Sequence, residues 1–375
     1  MYRPRPRRQA LRLGLIAALV GLALSACGGG GQDANKKKSE SGGSAPTNGQ
    51  IAFRRYLDPD QTKSALFTMN PDGSHIRQIA QPPNSWRDDD PVWSPDGTKV
   101  AFHRQRFDEM MSRIMVLNHE TGDVREVTHC GPDQGWTNEQ PPPSSGHYCV
   151  ADFYPAWAPD GNSISFRRIL GPDKDCCRIE GIWSIGLDGS DLHQVTNVDP
   201  KLPQAFSDWG SAFSPNGKLL VFERVRSADE SHAVFVQPID SSGSAEDAQQ
   251  LTPWQLNCQD HPEFSPDGKL VLFRCLPEGE EGPSNLYWVH PDGTGLHQLT
   301  HAPADEQYLG SNFSPSFSAG EGWIAVGRTG GYGDEGNADV FRMRVEGGDV
   351  VREVNLTKSA IWDSNPNWSS HQAVG

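Results

Sequence analysis

The sequence predicts an all-β chain, a six-bladed β-propeller of four-stranded antiparallel blades closed by its own C-terminal strand. Three observations predict it. The first is a phrase that recurs as PVWSPDG (91–97), PAWAPDG (155–161), SAFSPNG (211–217) and PEFSPDG (262–268), with worn copies SNFSPSF (311–317) and SNPNWSS (364–370). Aligning its aromatic residue gives Trp93, Trp157, Phe213, Phe264, Phe313 and Trp368, at spacings of 64, 56, 51, 49 and 55 residues. A period near fifty with several short strands per unit marks a propeller. The second is a later phrase in each unit, such as IWSIGLDGSDLHQVT (182–196) and LYWVHPDGTGLHQLT (286–300). The third lies in the ends. IAFRRYL (51–57) reads as the second strand of a blade and DSNPNWSS (363–370) as a first strand without a successor, so together they complete one ring.

Each unit follows from local chemistry. Pro-Asp-Gly after serine is a type I turn with glycine in the left-handed position, which predicts a three-residue hairpin loop with a bulge. Runs such as KVAFHR, LLVFER and KLVLFRC are apolar on both faces, as strands stacked between neighbouring sheets must be. A blade cannot bury both faces alone, so six must stack around an axis.

Residues 1–26 read as a lipoprotein signal peptide. Arg3, Arg5, Arg7, Arg8 and Arg12 precede an apolar stretch, Leu13 to Leu24, that is short for a membrane span. Leu24-Ser25-Ala26-Cys27 then resembles the bacterial lipobox, which makes Cys27 the lipidation site. Residues 27–49 form a Gly/Ser/Lys tether with little to bury and an r.m.s. reach on the order of 25 Å. The propeller is expected over 50–370 and a short tail over 371–375, with the lipid as the sole membrane anchor on an exported envelope protein. Formal charge is −15, or −20 once the five signal arginines have gone. Such acidity argues against nucleic acid and favours a cationic patch or ligand.

Six cysteines remain, Cys130, Cys149, Cys176, Cys177, Cys258 and Cys275, an even number in an exported chain and therefore disulfide candidates. Cys258–Cys275 is expected within the fifth blade, where the turn sets Gln259 opposite Cys275 and leaves Cys258 one step off register. Pairing of the other four stays open, with Cys130–Cys149 one of three arrangements. The cysteines share one rim with the longest loops (129–152, 170–180 and 329–337), and that rim is the expected partner surface.

Counting back from each turn places Asp88 opposite Arg104, Asp152 opposite Arg168 and Asp208 opposite Arg224, and Asp363 joins Arg55 in the closing blade. The equivalent positions in the fifth and sixth blades hold Gln259 with Cys275 and Tyr308 with Arg328. Two uses compete for this ring at the axial mouth. Carboxylates there, with Asp89, Asp90 and Asp260, could hold calcium; but each ring aspartate brings its own arginine, and a bidentate structural pair is simpler. His193 and His297 occupy one repeat slot, while His129, His147, His232, His261 and His301 lie near the loop-bearing rim and read as solvated. No GxSxG elbow or helical HExxH is present.

The phrases xFSPDGxxIxFxR and xIWxxxxDGSxxxxLT resemble the TolB-type, WD40-like propeller repeat over about residues 50–370. The resemblance implies an exported six-bladed propeller that works through protein contacts, although a tether stands here where the Gram-negative family member carries an N-terminal domain. Similar propellers gate prolyl oligopeptidases, but no hydrolase domain follows before Gly375, so such peptidase activity is not expected. The expectation is thus a monomeric, non-catalytic binding scaffold for an envelope protein, with no cofactor or metal. The alternatives are a metal-dependent hydrolase or lactonase acting at the axial channel, and a sensor subunit for a small ligand.

Overall fold

A computed structural model of the chain describes residues 49–106, 111–130, 149–171, 179–196, 206–239, 247–277, 283–302, 312–320, 322–330 and 337–369, all within one compact unit. Six four-stranded antiparallel sheets form the ring. Blade 1 runs β24 (Asp363–Trp368), β1 (Ile51–Tyr56), β2 (Ser64–Met69), β3 (Arg77–Ala80), so the last strand pairs with the first. Blade 2 is β4 (Trp86–Trp93), β5 (Lys99–Arg106), β6 (Ser112–Asn118), β7 (Val124–Glu126). Blade 3 is β8 (Cys149–Trp157), β9 (Ser163–Leu170), β10 (Ile179–Gly186), β11 (His193–Gln194). Blade 4 is β12 (Phe206–Phe213), β13 (Leu219–Arg226), β14 (Ser231–Pro238), β15 (Gln249–Gln250). Blade 5 is β16 (Cys258–Phe264), β17 (Val271–Cys275), β18 (Asn285–Val289), β19 (His297–Gln298), and blade 6 is β20 (Asn312–Phe317), β21 (Trp323–Thr329), β22 (Ala338–Glu346), β23 (Asp349–Asn355).

Both repeated phrases have a structural reason. In the turn, Asp96 Oδ1 accepts from Ser94 Oγ at 2.6 Å and Thr98 N at 3.0 Å, and Gly97 takes φ 66°. Asn216 and Asp267 repeat this with Ser214 and Ser265. The threonine ending the second phrase replaces a ladder bond where the outermost strand stops. Its hydroxyl accepts the third-strand amide, as in Ile114 N to Thr128, Ile182 N to Thr196, Val234 N to Thr252, Leu286 N to Thr300 and Val340 N to Thr357, at 2.9–3.0 Å.

The core lies between blades. Each of six apolar clusters joins two neighbours: Ala52 and Leu66 of blade 1 pack with Trp93, Val100 and Phe102 of blade 2, while Ile51, Phe53 and Trp368 meet Trp323 and Val340 of blade 6. Ile182 meets Phe222 between blades 3 and 4, and Leu272 meets Ile324 between blades 5 and 6.

Register corrects the sequence reading in three places. The loop holds four residues, since Ser94 N bonds Lys99 O across residues 95–98, and a one-residue bulge between Asp89 and Val92 then restores the expected facing of Asp88 and Arg104. In blade 5 the bulge takes up two residues, Asp260 and His261, both at positive φ. Cys258 therefore faces Cys275 directly and Gln259 faces Arg274. In blade 6 the residue matching Trp93 is Phe317, not Phe313, because Ser318 N bonds Trp323 O as Ser94 N bonds Lys99 O. Asn312 thus faces Arg328 in the place given to Tyr308, which lies outside the described residues.

Candidate functional site

The four aspartate–arginine pairs are bidentate. Arg104 Nε and Nη2 donate to Asp88 at 2.6 and 2.9 Å, Arg168 to Asp152 at 2.8 and 2.8 Å, Arg224 to Asp208 at 2.7 and 2.9 Å, and Arg55 to Asp363 at 2.7 and 2.7 Å. All four carboxylates are fully buried, and each guanidinium lies over an aromatic ring, as Arg224 does over Phe235. Burial raises the Asp88 and Asp363 carboxyls, and their arginines offset part of that rise. None of the four lines the axial cavity that opens at the rim of tight turns.

The cavity itself is built from the other half of each innermost strand. It measures about 390 Å³ and opens at the rim of tight turns, where Pro95, Pro159, Pro215 and Pro266 stand. An innermost strand is an edge strand facing the axis, and proline blunts such an edge by removing an N–H. Pro91, Pro155, Pro262, Pro315 and Pro366 hold this position two residues before the aromatic, and Ser211 holds it in blade 4. Three aromatic-position amides are taken up by the blade before them: Trp93 N donates to Asn367 Oδ1, Phe317 N to Glu263 Oε2 and Trp368 N to Ser316 Oγ.

The bulge residue before each proline forms the floor. Asp90, Tyr154, His261, Ser314 and Asn365 all take positive φ, between 46° and 56°. Gly210 fills this slot in blade 4, where an added Cβ would sit 2.5 Å from His261 Cδ2. His261 consequently reaches across to Tyr154, with ring centroids 4.5 Å apart. Asn365 Nδ2 donates to both Asp89 and Asp90, Arg54 pairs with Asp89, and Asp260 accepts from Ser314 N at 2.6 Å with Arg274 at 3.6 Å. His103 Nδ1 lies 3.3 Å from Asp90 Oδ2. Burial and then neighbouring Asp89 raise the Asp90 carboxyl to about 7, and burial lowers His103 to about 3. Burial also raises Glu263, on the cavity wall, to about 8.

A raised carboxyl makes stability fall with pH. Asp90 in the folded protein keeps its proton between its ordinary 3.8 and about 7, so the stabilisation is complete below pH 4 and lost on the way to pH 7. At about 1.4 kcal/mol per pH unit, the neutral isostere Asp90→Asn is expected to exceed wild type by up to about 4 kcal/mol at pH 8 and to match it near pH 4. Its amide can still accept from Asn365 and can donate to His103. Calorimetric melts at both pH values check this, and an equal difference at both would refute it.

Of the cysteines, Cys130–Cys149 and Cys258–Cys275 are joined, the latter with Cα atoms 3.9 Å apart; Cys176 and Cys177 lie outside the described residues. Cys130, Cys149 and Asp152 are the one trio of ligand-type groups close enough to share an ion among the described residues, and a disulfide occupies both sulfurs. His261 is a floor residue rather than a solvated one, and His232 bonds Glu223 at 2.5 Å. His129 pairs with Glu126 at 2.8 Å, His301 is exposed, and His147 lies outside the described residues. Much of the loop-bearing rim (131–148, 172–178, 331–336) also falls outside them. Sequence reading passed over Tyr154, Gly210, Ser314 and Asn365; the signal that marks them is the residue preceding each repeat's proline or serine.

The chain superposes on the crystal structure of TolB from Acinetobacter baumannii with a TM-score of 0.57 and 17% identity, covering 86% of this chain and 66% of that one. In fold, it is a TolB-like propeller. A putative TolB from Agrobacterium tumefaciens matches this propeller at TM-score 0.53 and 17% identity, over 83% of this chain and 89% of that one. A puromycin hydrolase matches at TM-score 0.51 and 15% identity, over 81% and 46%. No protein-family model matches. In sequence, the TolB-like chain is 25% identical over 204 residues to the uncharacterized peptidase YuxL of Bacillus subtilis, which covers 54% of this chain and 24% of YuxL. The chain therefore spans about a quarter of that relative's length. Relatives named as a peptidase and a puromycin hydrolase overturn the expectation of a non-catalytic binding scaffold.

Proposed function

We propose that this TolB-like propeller is an exported protein, tethered through lipidated Cys27, whose axial funnel receives an extended polypeptide segment. The observation that carries the reading is the funnel: a rigid, proline-walled cavity of about 390 Å³ with a polar floor, in the size range of ligand sites. Edge strands around it offer carbonyls to a bound backbone, as exposed edges do in peptide recognition. The likeness to YuxL supports a second reading, in which the same funnel presents peptides to a peptidase activity.

Narrowing the mouth tests both. Pro215 and Pro266 are exposed at turn positions that tolerate most residues, so Pro215→Trp and Pro266→Trp should fold and obstruct entry. Heptapeptides selected on wild type from a random phage library are expected to lose binding to both variants; undiminished binding would move the site elsewhere. For the tether, Cys27→Ala is expected to shift the protein from the membrane fraction to the soluble one. Retention in the membrane after signal removal would exclude lipid anchoring.

A further inference from the structure

We propose that the funnel takes the amino terminus of a polypeptide, holding its ammonium group at the floor against the Asp90 carboxylate. This rests on the reading that the funnel binds polypeptide and names which part of the chain enters. Shape argues for a chain end. From the rim at Pro95 to the floor at Asp90 is five residues, an extended length of at most about 16 Å, and the Tyr154–His261 pair crosses the inner end. About 390 Å³ suits a single extended end of a few residues rather than a chain that enters and doubles back.

Charge selects which end. The floor brings Asp89, Asp90 and Asp260 together, and the nearby cations have prior partners: Arg54 pairs with Asp89, and Arg274 stands 3.6 Å from Asp260. His261 also faces Asp90 from blade 5. What touches Asp90 directly is the neutral Asn365 amide and His103, which burial keeps neutral. A second, independent sign is the His103 ring, 2% exposed, whose Nδ1 makes no hydrogen bond although it points at Asp90. The walls act in the same sense. Five prolines remove edge donors and side chains consume the amides of Trp93, Phe317 and Trp368, so the funnel is richer in acceptors than in donors. A formal charge of −15 draws a cationic end inward and repels a carboxyl end. Asp90 is thus a buried carboxyl that its surroundings leave partly protonated near neutrality, and an arriving ammonium favours its ionised form.

The test titrates purified protein at pH 7.5 by calorimetry with trialanine amide, its N-acetylated form and acetyl-Ala-Lys-Ala-amide. Acetylation is expected to weaken binding at least about tenfold, and Asp90→Asn to lower affinity for the free-amine peptide to that of the acetylated one, with its melting temperature showing an intact fold. Equal affinity for free and acetylated trialanine overturns the proposal and leaves the polypeptide reading standing. Preference for the lysine peptide overturns it in favour of a side-chain ammonium. Absence of binding by all three up to about 10 mM overturns both.

Discussion

Deletion of residues 361–375 is expected to remove most or all of the propeller's net stability. The segment supplies β24, which pairs with β1 from Ile51–Trp368 to Arg55–Asp363. It carries Trp368, 3% exposed in the cluster between blades 6 and 1, and the fully buried Asp363 that holds Arg55. Asn365 and Asn367 bind blade 2 through Asp89 and the Trp93 amide. Losing a core tryptophan alone costs about 3–5 kcal/mol, and a whole domain has only about 5–15 kcal/mol. A thermal melt of the truncated chain, beside a control lacking only 371–375, is the measurement. Melting within a few degrees of full length would refute closure by β24.

Asp208→Ala is expected to destabilise the protein by about 3–5 kcal/mol, because it leaves the Arg224 guanidinium buried without its anion. Arg224 is 2% exposed and is the largest fully buried side chain among the described residues. The double variant Asp208→Ala, Arg224→Met should recover much of the loss, since an apolar pair avoids the desolvation that a lone charge suffers. The analogous change at Asp363 should cost less, as Arg55 reaches solvent with 19% of its side chain exposed. Urea unfolding of these variants decides it; a double variant no more stable than Asp208→Ala would show that the pair adds net stability of its own.

Fold and blade count were legible because turn and threonine motifs make local hydrogen bonds that recur wherever a blade recurs. Three of the four aspartate–arginine pairs were legible for a subtler reason. A loop one residue longer than assumed and a bulge one residue deep displace the register in opposite directions, so Asp88, Asp152 and Asp208 still face their arginines. Blade 5 exposes the cancellation, since its two-residue bulge shifts Cys258 instead of Gln259 opposite Cys275. The floor was not legible as a site. Asp90, Tyr154, His261, Ser314 and Asn365 come from five blades and meet only when the ring closes, and the meeting of Tyr154 with His261 depends on the missing side chain of Gly210.

Closure by the last strand also imposes a waiting period. Arg55 and Asp363 are 308 residues apart, so a chain synthesised from its N-terminus makes β1 long before its partner exists. Throughout that interval β1 presents an unpaired edge, the kind of surface on which neighbouring chains aggregate. Its sequence, IAFRRY, sets two adjacent arginines in an otherwise apolar strand. Before closure, Arg54 and Arg55 put two charges on that edge, and charge is what disfavours edge-to-edge pairing between chains. After closure the same two side chains grip Asp89 and Asp363, so the guards of the open edge become the rivets of the finished ring.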